Sequence, residues 1–263
     1  MFGGLWPAGG SMSGFRAARR EAREPVVITG LSAVSPLGNT CEQIVDRLFA
    51  GYSGVRAIGP DPRARTTRQF VAPVTEIPTP AGMDPQAFAD LDRLEQICLA
   101  PLAGALADAG FDPQARPRLG LVLGLGAEHL KSWELDFFSG GTRVFEPRRD
   151  PALVHRLAGR LGIDGPAVTV AAACASSGYA LGMARAWVES GWVDACVAGG
   201  CDILSPTSMA AFYNLRALSR RDDDPAKASR PFDRARDGFV MGEGGAFFVL
   251  ERQTTAVARG ARL

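Results

Sequence analysis

Residues 168–182 read VTVAAACASSGYALG, and they predict a strand that turns directly into a helix. The β-branched run that ends at Val170 is typical of a buried strand. A second apolar strand, VDACVAGG at 193–200, follows, and Gly191 between them is a typical helix end. The segment therefore predicts a β-α-β unit with Cys174 at the turn into the helix. Its helical stripe consists of apolar residues: Ala180, Met183, Ala184, Trp187 and Val188.

A cysteine at such a turn has two interpretations. The unpaired N–H groups and the positive dipole end of a helix stabilise a thiolate, and they also stabilise the oxyanion of a bound thioester carbonyl. The small neighbours of Cys174, from Ala173 to Ser177, leave room for a substrate. The position alone leaves open whether Cys174 is a nucleophile or a buried structural thiol.

The bulk composition excludes several function classes. The formal charge is +1, from 29 basic and 28 acidic residues, so no overall field favours nucleic acid or a membrane surface. No run of about eighteen apolar residues predicts a membrane span, and the N-terminus lacks the apolar core of a signal peptide. We expect a cytoplasmic protein.

The five cysteines are scattered, odd in number and without a C-x-x-C pair: Cys41, Cys98, Cys174, Cys196 and Cys201. This pattern argues against a disulfide framework and against a structural zinc site. We expect Cys196 and Cys201 to be small buried thiols, and we expect no metal and no cofactor.

Residues 1–24 mix Gly, Ser and charge and predict a mobile leader before a domain at 25–263. PVVITG predicts a strand that ends at Gly30. Asn39 is a candidate cap for a helix whose apolar stripe is Ile44, Val45, Leu48 and Phe49. Residues 52–84 predict a long irregular excursion, and a helix follows from Ala89 to Ala109 with Pro101 inside it and Gly110 at its end.

LGLVLGLG at 119–126 predicts a buried strand, and its G-x-G raises a dinucleotide-binding alternative. The third glycine of that fingerprint is missing, because the sixth position from Gly124 is His129, so we reject the alternative. We interpret His129 as an ordinary polar helix start. In the next helix, DPALVHRLAGRLG, the spacing of the leucines predicts that His155 points to solvent.

The stretch from Asn214 to Glu251 begins as a charge-rich loop and ends in the turn GEGG and the strand AFFVL. This order is typical of an active-site rim, and equally of an ordinary surface crossover.

These stretches resemble the elongating β-ketoacyl-acyl-carrier-protein synthases and the ketosynthase domains of polyketide synthases. The matching segments are VVITGLSAVSPLGN, VTVAAACASSGYALG, RALSRRDDDPAKASRPFDRARDGFVMGEGG and VLE with its trailing helix. The resemblance implies an α/β thiolase-like fold, represented by its N-terminal half: a mixed five-stranded sheet covered by helices, with the C-terminal half absent.

The resemblance also implies roles for residues. Cys174 matches the acyl-accepting nucleophile, with its own N–H as one oxyanion donor. Phe212 and Phe239 match positions in the acyl pocket and active-site wall. Arg216 matches a basic position that contacts the acidic acyl carrier protein, and Arg65 and Arg68 join that docking patch. A structural charge network beneath the site is implied for Arg230, Asp233, Arg236 and Asp237.

The family's two catalytic histidines lie in motifs that neither His129 nor His155 matches. We therefore expect an acyltransferase by family that performs little condensation alone, and a homodimer or heterodimer through the thiolase fold. The alternatives are a noncatalytic partner subunit or a half-enzyme completed by a second chain.

Overall fold

The structure, a computed structural model, describes residues 24–59, 69–111, 117–126, 130–141, 152–221 and 223–263. The strands are β1 (Val26–Val34), β2 (Arg56–Ile58), β3 (Gln69–Ala72), β4 (Leu119–Gly124), β5 (Ala167–Val170), β6 (Ala195–Asp202), β7 (Met241–Gly242) and β8 (Gly244–Arg252). The helices are α1 (Cys41–Phe49), α2 (Pro85–Ala89), α3 (Arg93–Ala109), α4 (Leu130–Phe138), α5 (Leu153–Arg160), α6 (Ser176–Ser190), α7 (Pro206–Asn214) and α8 (Gln253–Ala258).

Five strands form the main sheet in the order β1-β8-β6-β4-β5. Strand β4 is parallel to its two neighbours, β5 and β6, whereas β8 is antiparallel to β6 and to β1. The predicted mixed five-stranded sheet is confirmed. Because β4, β5 and β6 are parallel, their carboxyl ends meet at one edge of the sheet. We call this the carboxyl edge.

Helices cover both faces of the sheet, as the alternation of side chains along β4 requires. Leu121 and Leu123 are completely buried in a cluster with residues of α3 and α5, and Val122 is completely buried in a cluster with residues of α6. A strand that is buried on both faces has apolar residues at successive positions, which explains why the LGLVLG segment does not alternate with polar residues. The layers are therefore helix, sheet, helix.

The helix predicted from Ala89 to Ala109 is two helices. α2 ends at Ala89, and the carboxylate of Asp92 then accepts the Glu95 N–H at 3.0 Å, which caps a new helix, α3. The predicted end is confirmed, since Gly110 has φ 63° and follows the last helical residue.

Pro101 lies inside α3 and is buried. Proline has no N–H to bond to the carbonyl four residues earlier, which is that of Ile97. This carbonyl lies against Gly245 of β8, where an added Cβ would be 2.8 Å from the Ile97 oxygen. The proline and the glycine together allow α3 to lie close against the sheet.

Two predictions near the N-terminus were wrong in detail. β1 continues through Gly30 to Val34, because the register of its pairing with β8 shifts between Ile28 and Gly30 and the strand then resumes. The helix cap is Thr40, whose hydroxyl accepts the Gln43 N–H at 3.2 Å, and not Asn39. The predicted stripe of α1 contains no buried residue.

Residues 52–84 are not wholly irregular. β2 pairs with β3, and β3 pairs with β7, which comes about 170 residues later in the chain. Local composition does not reveal this small sheet, because the partner strand is distant in sequence.

The cysteine expectations were half right. Cys196 is a completely buried thiol of β6, and burial raises its pKa to about 12. Cys201 instead forms a disulfide with Cys98, because α3 crosses β6 with the two Cα atoms 5.9 Å apart.

Among the described helices, none is long and apolar enough to cross a membrane.

Candidate functional site

Cys174 lies at the carboxyl edge of the sheet. It follows the end of β5 at Val170 and precedes the start of α6 at Ser176. The thiol is free and exposed to solvent. In open α/β sheets, ligands bind outside the carboxyl ends of the strands, so a substrate has access to this thiol.

The turn that carries Cys174 has an uncommon backbone. Ala173 has φ 48°, in the left-handed region that residues with a Cβ rarely adopt. Two backbone hydrogen bonds close the turn: the Ala175 N–H donates to the Ala172 carbonyl at 3.0 Å, and the Ser176 N–H donates to the Ala173 carbonyl at 3.1 Å. The chain thus reverses sharply just before the cysteine and exposes it.

Two glycines let the first turn of α6 rest on the sheet. A Cβ on Gly124 of β4 would lie 2.6 Å from the Ser177 nitrogen and 2.7 Å from the Ser176 carbonyl carbon. A Cβ on Gly200 of β6 would lie 2.2 Å from the Ser177 hydroxyl oxygen. Side chains at these two positions would push the helix start away. Gly124 therefore allows α6 to pack closely against the sheet. This packing explains the glycine, so no nucleotide-binding role is needed to explain it.

The two phenylalanines named from sequence lie together. The rings of Phe212 in α7 and Phe239 pack edge to face, with centroids 5.3 Å apart and planes at 78°. Backbone bonds hold the second ring in place, because the Phe239 N–H donates to the Ala217 carbonyl at 3.0 Å and the Phe239 carbonyl accepts the Ser219 N–H at 2.9 Å. The pair is only partly buried, with Phe239 39% exposed.

An open cleft of about 720 Å³ lies beside Phe239. Arg216 lines it in a left-handed backbone conformation, with φ 55°, and its side chain is exposed. Other cationic side chains along the cleft are those of Arg230 and Arg236. The cleft thus joins an aromatic wall to a basic rim.

An ion network lies beside this cleft, and two of its members, Arg230 and Asp237, line the cleft. Arg230 is 3.6 Å from a carboxylate oxygen of Asp237 and 4.0 Å from one of Asp233. Desolvation alone would raise the pKa of Asp237, but the Arg220 N–H, the Ser219 hydroxyl and Arg230 outweigh it and hold that pKa below its usual range. The implied network is present for these three residues.

Arg236 departs from the implied network. Its guanidinium donates to the Asp233 backbone carbonyl at 3.0 Å, so its contact is with the turn and not with a carboxylate.

The structure brings together part of the site. Arg216, Phe212 and Phe239 belong to one region, but among the described residues no hydrogen bond or ring contact joins Cys174 to either ring. His155 is exposed on α5, as predicted. Three residues considered from sequence lie outside the described residues: Arg65, Arg68 and His129. Within the described part of the chain, no cluster of metal-ligating side chains occurs.

Three buried carboxylates were not predicted from the sequence. Glu243, at the carboxyl edge, is 8% exposed and pairs with Arg93. Glu251 of β8 is 1% exposed and pairs with Arg259, which directly follows α8. Glu95 of α3 is 5% exposed and pairs with Arg160 of α5. A charge inside an otherwise apolar or glycine-rich segment was the available signal, but nothing in the spacing names the arginine partners.

Comparison with known proteins agrees with this architecture. Residues 23–256 match the family model described as "Beta-ketoacyl synthase, N-terminal domain". The chain is 34% identical over 253 residues to 3-oxoacyl-[acyl-carrier-protein] synthase 2 of Vibrio cholerae, covering 92% of this chain and 61% of that protein. It is 33% identical over 259 residues to the tetracenomycin polyketide synthase ketoacyl synthase alpha subunit of Streptomyces glaucescens, covering 92% and 61%.

Two solved structures are also similar. A β-ketoacyl synthase from Burkholderia phymatum superposes with a TM-score of 0.75 at 30% identity, over 91% of this chain and 62% of that one. The ishigamide ketosynthase/chain length factor superposes with a TM-score of 0.74 at 28% identity, over 92% of this chain and 61% of that one. The chain thus spans about 60% of the length of the relatives it matches.

Proposed function

The chain belongs to the β-ketoacyl synthase family, and from that membership and the exposed Cys174 we propose that it carries the acyl-accepting site of a β-ketoacyl-acyl-carrier-protein synthase. The single observation that carries the proposal is the free thiol of Cys174, presented by a sharp turn at the start of α6. Such synthases extend fatty-acid or polyketide chains by decarboxylative Claisen condensation.

The proposed first step is acyl transfer. The Cys174 thiolate attacks the carbonyl carbon of an acyl thioester, and the carbonyl oxygen becomes an oxyanion. The Cys174 N–H is our proposed donor to this oxyanion, since the N–H groups of Ala175 and Ser176 already donate to carbonyls of the turn. Collapse of the intermediate breaks the bond to the carrier thiol, which leaves as a thiolate and takes up a proton.

The second step needs other groups. In the family, two histidines stabilise the enolate that forms when a malonyl thioester loses carbon dioxide. The two histidines of these 263 residues, His129 and His155, match neither motif. We therefore propose that these residues alone accept an acyl group but do not condense it.

Acylation is tested with an acyl-carrier thioester and peptide mass spectrometry. We expect one acyl group at Cys174, lost in Cys174→Ala and retained in the matched variant Cys41→Ala, which removes another free cysteine. Equal modification of Cys41 and Cys174 would contradict a dedicated acyl site. With added malonyl-carrier thioester, the β-ketoacyl product should remain at the level of Cys174→Ala; a product above that level would refute the second proposal.

For the partner, we propose that the acyl carrier protein docks at Arg216, on the basic rim of the cleft. Its acidic surface suits an exposed guanidinium. Arg216→Gln should slow acyl transfer from the carrier protein several-fold and leave transfer from a small thioester unchanged. The control is Arg118→Gln, since Arg118 precedes β4 and lies at the opposite edge of the sheet. An equal effect of both variants would exclude docking at Arg216.

For assembly, we propose a homodimer or heterodimer in the cytoplasm. A structural neighbour carries the name ketosynthase/chain length factor, and α4 exposes three aromatic side chains by about half or more: Trp133, Phe137 and Phe138. Light scattering should give twice the chain mass alone or a complex with a second ketosynthase chain. Phe137→Ser should weaken that assembly more than Phe49→Ser on α1; equal effects would exclude the α4 face.

A further inference from the structure

Ser176 makes contacts that its position in the helix does not require. It is the first residue of α6 and is 3% exposed. Its hydroxyl oxygen accepts the Ala172 N–H at 2.9 Å and donates to the Ala173 carbonyl at 2.7 Å. One buried hydroxyl thus bonds to both residues that precede Cys174.

These bonds surround the left-handed residue of the turn. Ala173 has φ 48°, and the Ser176 hydroxyl bonds both to the carbonyl of Ala173 itself and to the N–H of the preceding residue, Ala172. A residue with a Cβ keeps such a conformation only where its surroundings hold it there. The Ser176 N–H also donates to the Ala173 carbonyl, so three interactions of one residue secure the turn.

Other side chains do not take this role. The N-cap residue of α6 is Ala175, which has no capping side chain. Ser177 is exposed, and its hydroxyl lies over Gly200, where an added Cβ would be 2.2 Å away. Ser176 itself is too buried to act as an acyl acceptor in place of Cys174.

We propose that Ser176 is a positioning residue: its hydroxyl holds Ala173 in the left-handed conformation and so keeps the Cys174 thiol beside the N-terminus of α6. The identification of Cys174 as the nucleophile rests on the proposed function. The position of the thiol itself does not, and it can be measured without any acyl substrate.

The experiment measures the rate at which iodoacetamide alkylates Cys174 at pH 7.5, followed by peptide mass spectrometry. Without the hydroxyl, Ala173 relaxes and the turn no longer presents the Cys174 thiol to solvent, so iodoacetamide reaches the thiol less readily. We expect Ser176→Ala to alkylate at least fivefold more slowly. The control is Ser190→Ala on the same helix, whose hydroxyl donates to the Trp187 carbonyl at 3.0 Å, and it should stay within twofold of the unmodified chain.

Two rescues separate positioning from general loss of structure. Ser176→Thr keeps the hydroxyl and should restore the rate. Ala173→Gly added to Ser176→Ala should also restore it, because glycine adopts a positive φ without the hydroxyl. The double variant also gives the readout if Ser176→Ala alone unfolds. A rate within twofold of the unmodified chain in Ser176→Ala, or failure of both rescues, would overturn the proposal.

Acylation by a small acyl thioester is measured on the same variants. If the unmodified chain is alkylated at Cys174 but never acylated, the proposed function fails while the alkylation rates still decide the role of Ser176.

Discussion

The carboxylate of Glu243 and the guanidinium of Arg93 form an ion pair that joins the turn before β8 to the first turn of α3. The same carboxylate accepts the Val74 N–H at 2.9 Å and the Leu204 N–H at 3.5 Å. Val74 follows β3, and Leu204 follows β6. One buried side chain therefore connects the small sheet, the main sheet and α3 at the carboxyl edge.

Removal of this carboxylate should destabilise the fold. Glu243→Ala leaves the Arg93 charge and the Val74 N–H without their partner, and breaking such a pair costs on the order of 3 kcal/mol when one member is buried. Urea unfolding should show that loss in the free energy of unfolding. Asp223→Asn, which breaks an exposed pair with Arg221, should leave the midpoint almost unchanged. Equal midpoints for both variants would contradict the connecting role of Glu243.

The contact between α6 and the sheet predicts opposite effects for two glycines. Gly124→Ala adds a Cβ 2.6 Å from the Ser177 nitrogen, so the helix start must shift and Cys174 with it. We expect a lower melting temperature and a changed alkylation rate of Cys174. Gly182 lies within α6, and nothing is within 4 Å of a Cβ added there. Gly182→Ala should therefore raise the free energy of unfolding by about 0.5–1 kcal/mol. A Gly124→Ala variant that melts no lower than Gly182→Ala would refute this packing.

The sequence predicts local units better than long-range pairings. The unit from β5 through α6 to β6 was predictable because its strands are apolar runs, its helix has a regular stripe and Gly191 ends it with φ 75°. One stripe residue was misplaced, since Met183 is 38% exposed.

β2 and β3 were missed for the opposite reason. They are three and four residues long, and β3 pairs with β7, which is remote in sequence. The continuation of β1 beyond Gly30 likewise depends on its partner β8.

The site divides in the same way. The turn at Cys174 follows from local sequence. Phe212 and Phe239 were named through the family resemblance, but the contact between their rings was not predicted. The ion pair between Glu243 and Arg93 was not predicted, because 150 residues separate the two in the sequence. Which arginine meets a buried carboxylate is decided by how α3 crosses the sheet.

The edge-to-face pair of Phe212 and Phe239 should be measurable as a coupling energy. A double-mutant cycle with Phe212→Leu and Phe239→Leu compares free energies of unfolding, and we expect coupling of about 0.5–1.5 kcal/mol. The control pair is Phe137 and Phe138 on α4, with ring centroids 5.6 Å apart. Phe137→Leu should lower the free energy of unfolding less than Phe239→Leu does, because the Phe137 ring is 76% exposed. Additive effects of the two Phe212 and Phe239 variants would exclude an energetic role for their contact.

Burial of the Cys196 thiol predicts a loss of stability at alkaline pH. Its pKa is raised from 9.0 to about 12 in the folded chain, because burial disfavours the thiolate. Above pH 9 the unfolded chain releases this proton while the folded chain retains it. The contribution of Cys196 to stability is therefore fully present below pH 9 and is lost as the pH rises towards 12, by about 1.4 kcal/mol per pH unit.

Other groups also titrate above pH 9, so the measurement must compare two chains. Urea unfolding of the unmodified chain and of Cys196→Ala, each at pH 8 and pH 10, isolates the thiol. The unmodified chain should lose more stability between these pH values, with the difference approaching about 1 kcal/mol. The same burial predicts that iodoacetamide modifies Cys174 in the native chain at pH 8 and reaches Cys196 only in urea. Identical pH slopes in the two chains, together with native labelling of Cys196, would show that the β6 thiol is open to solvent.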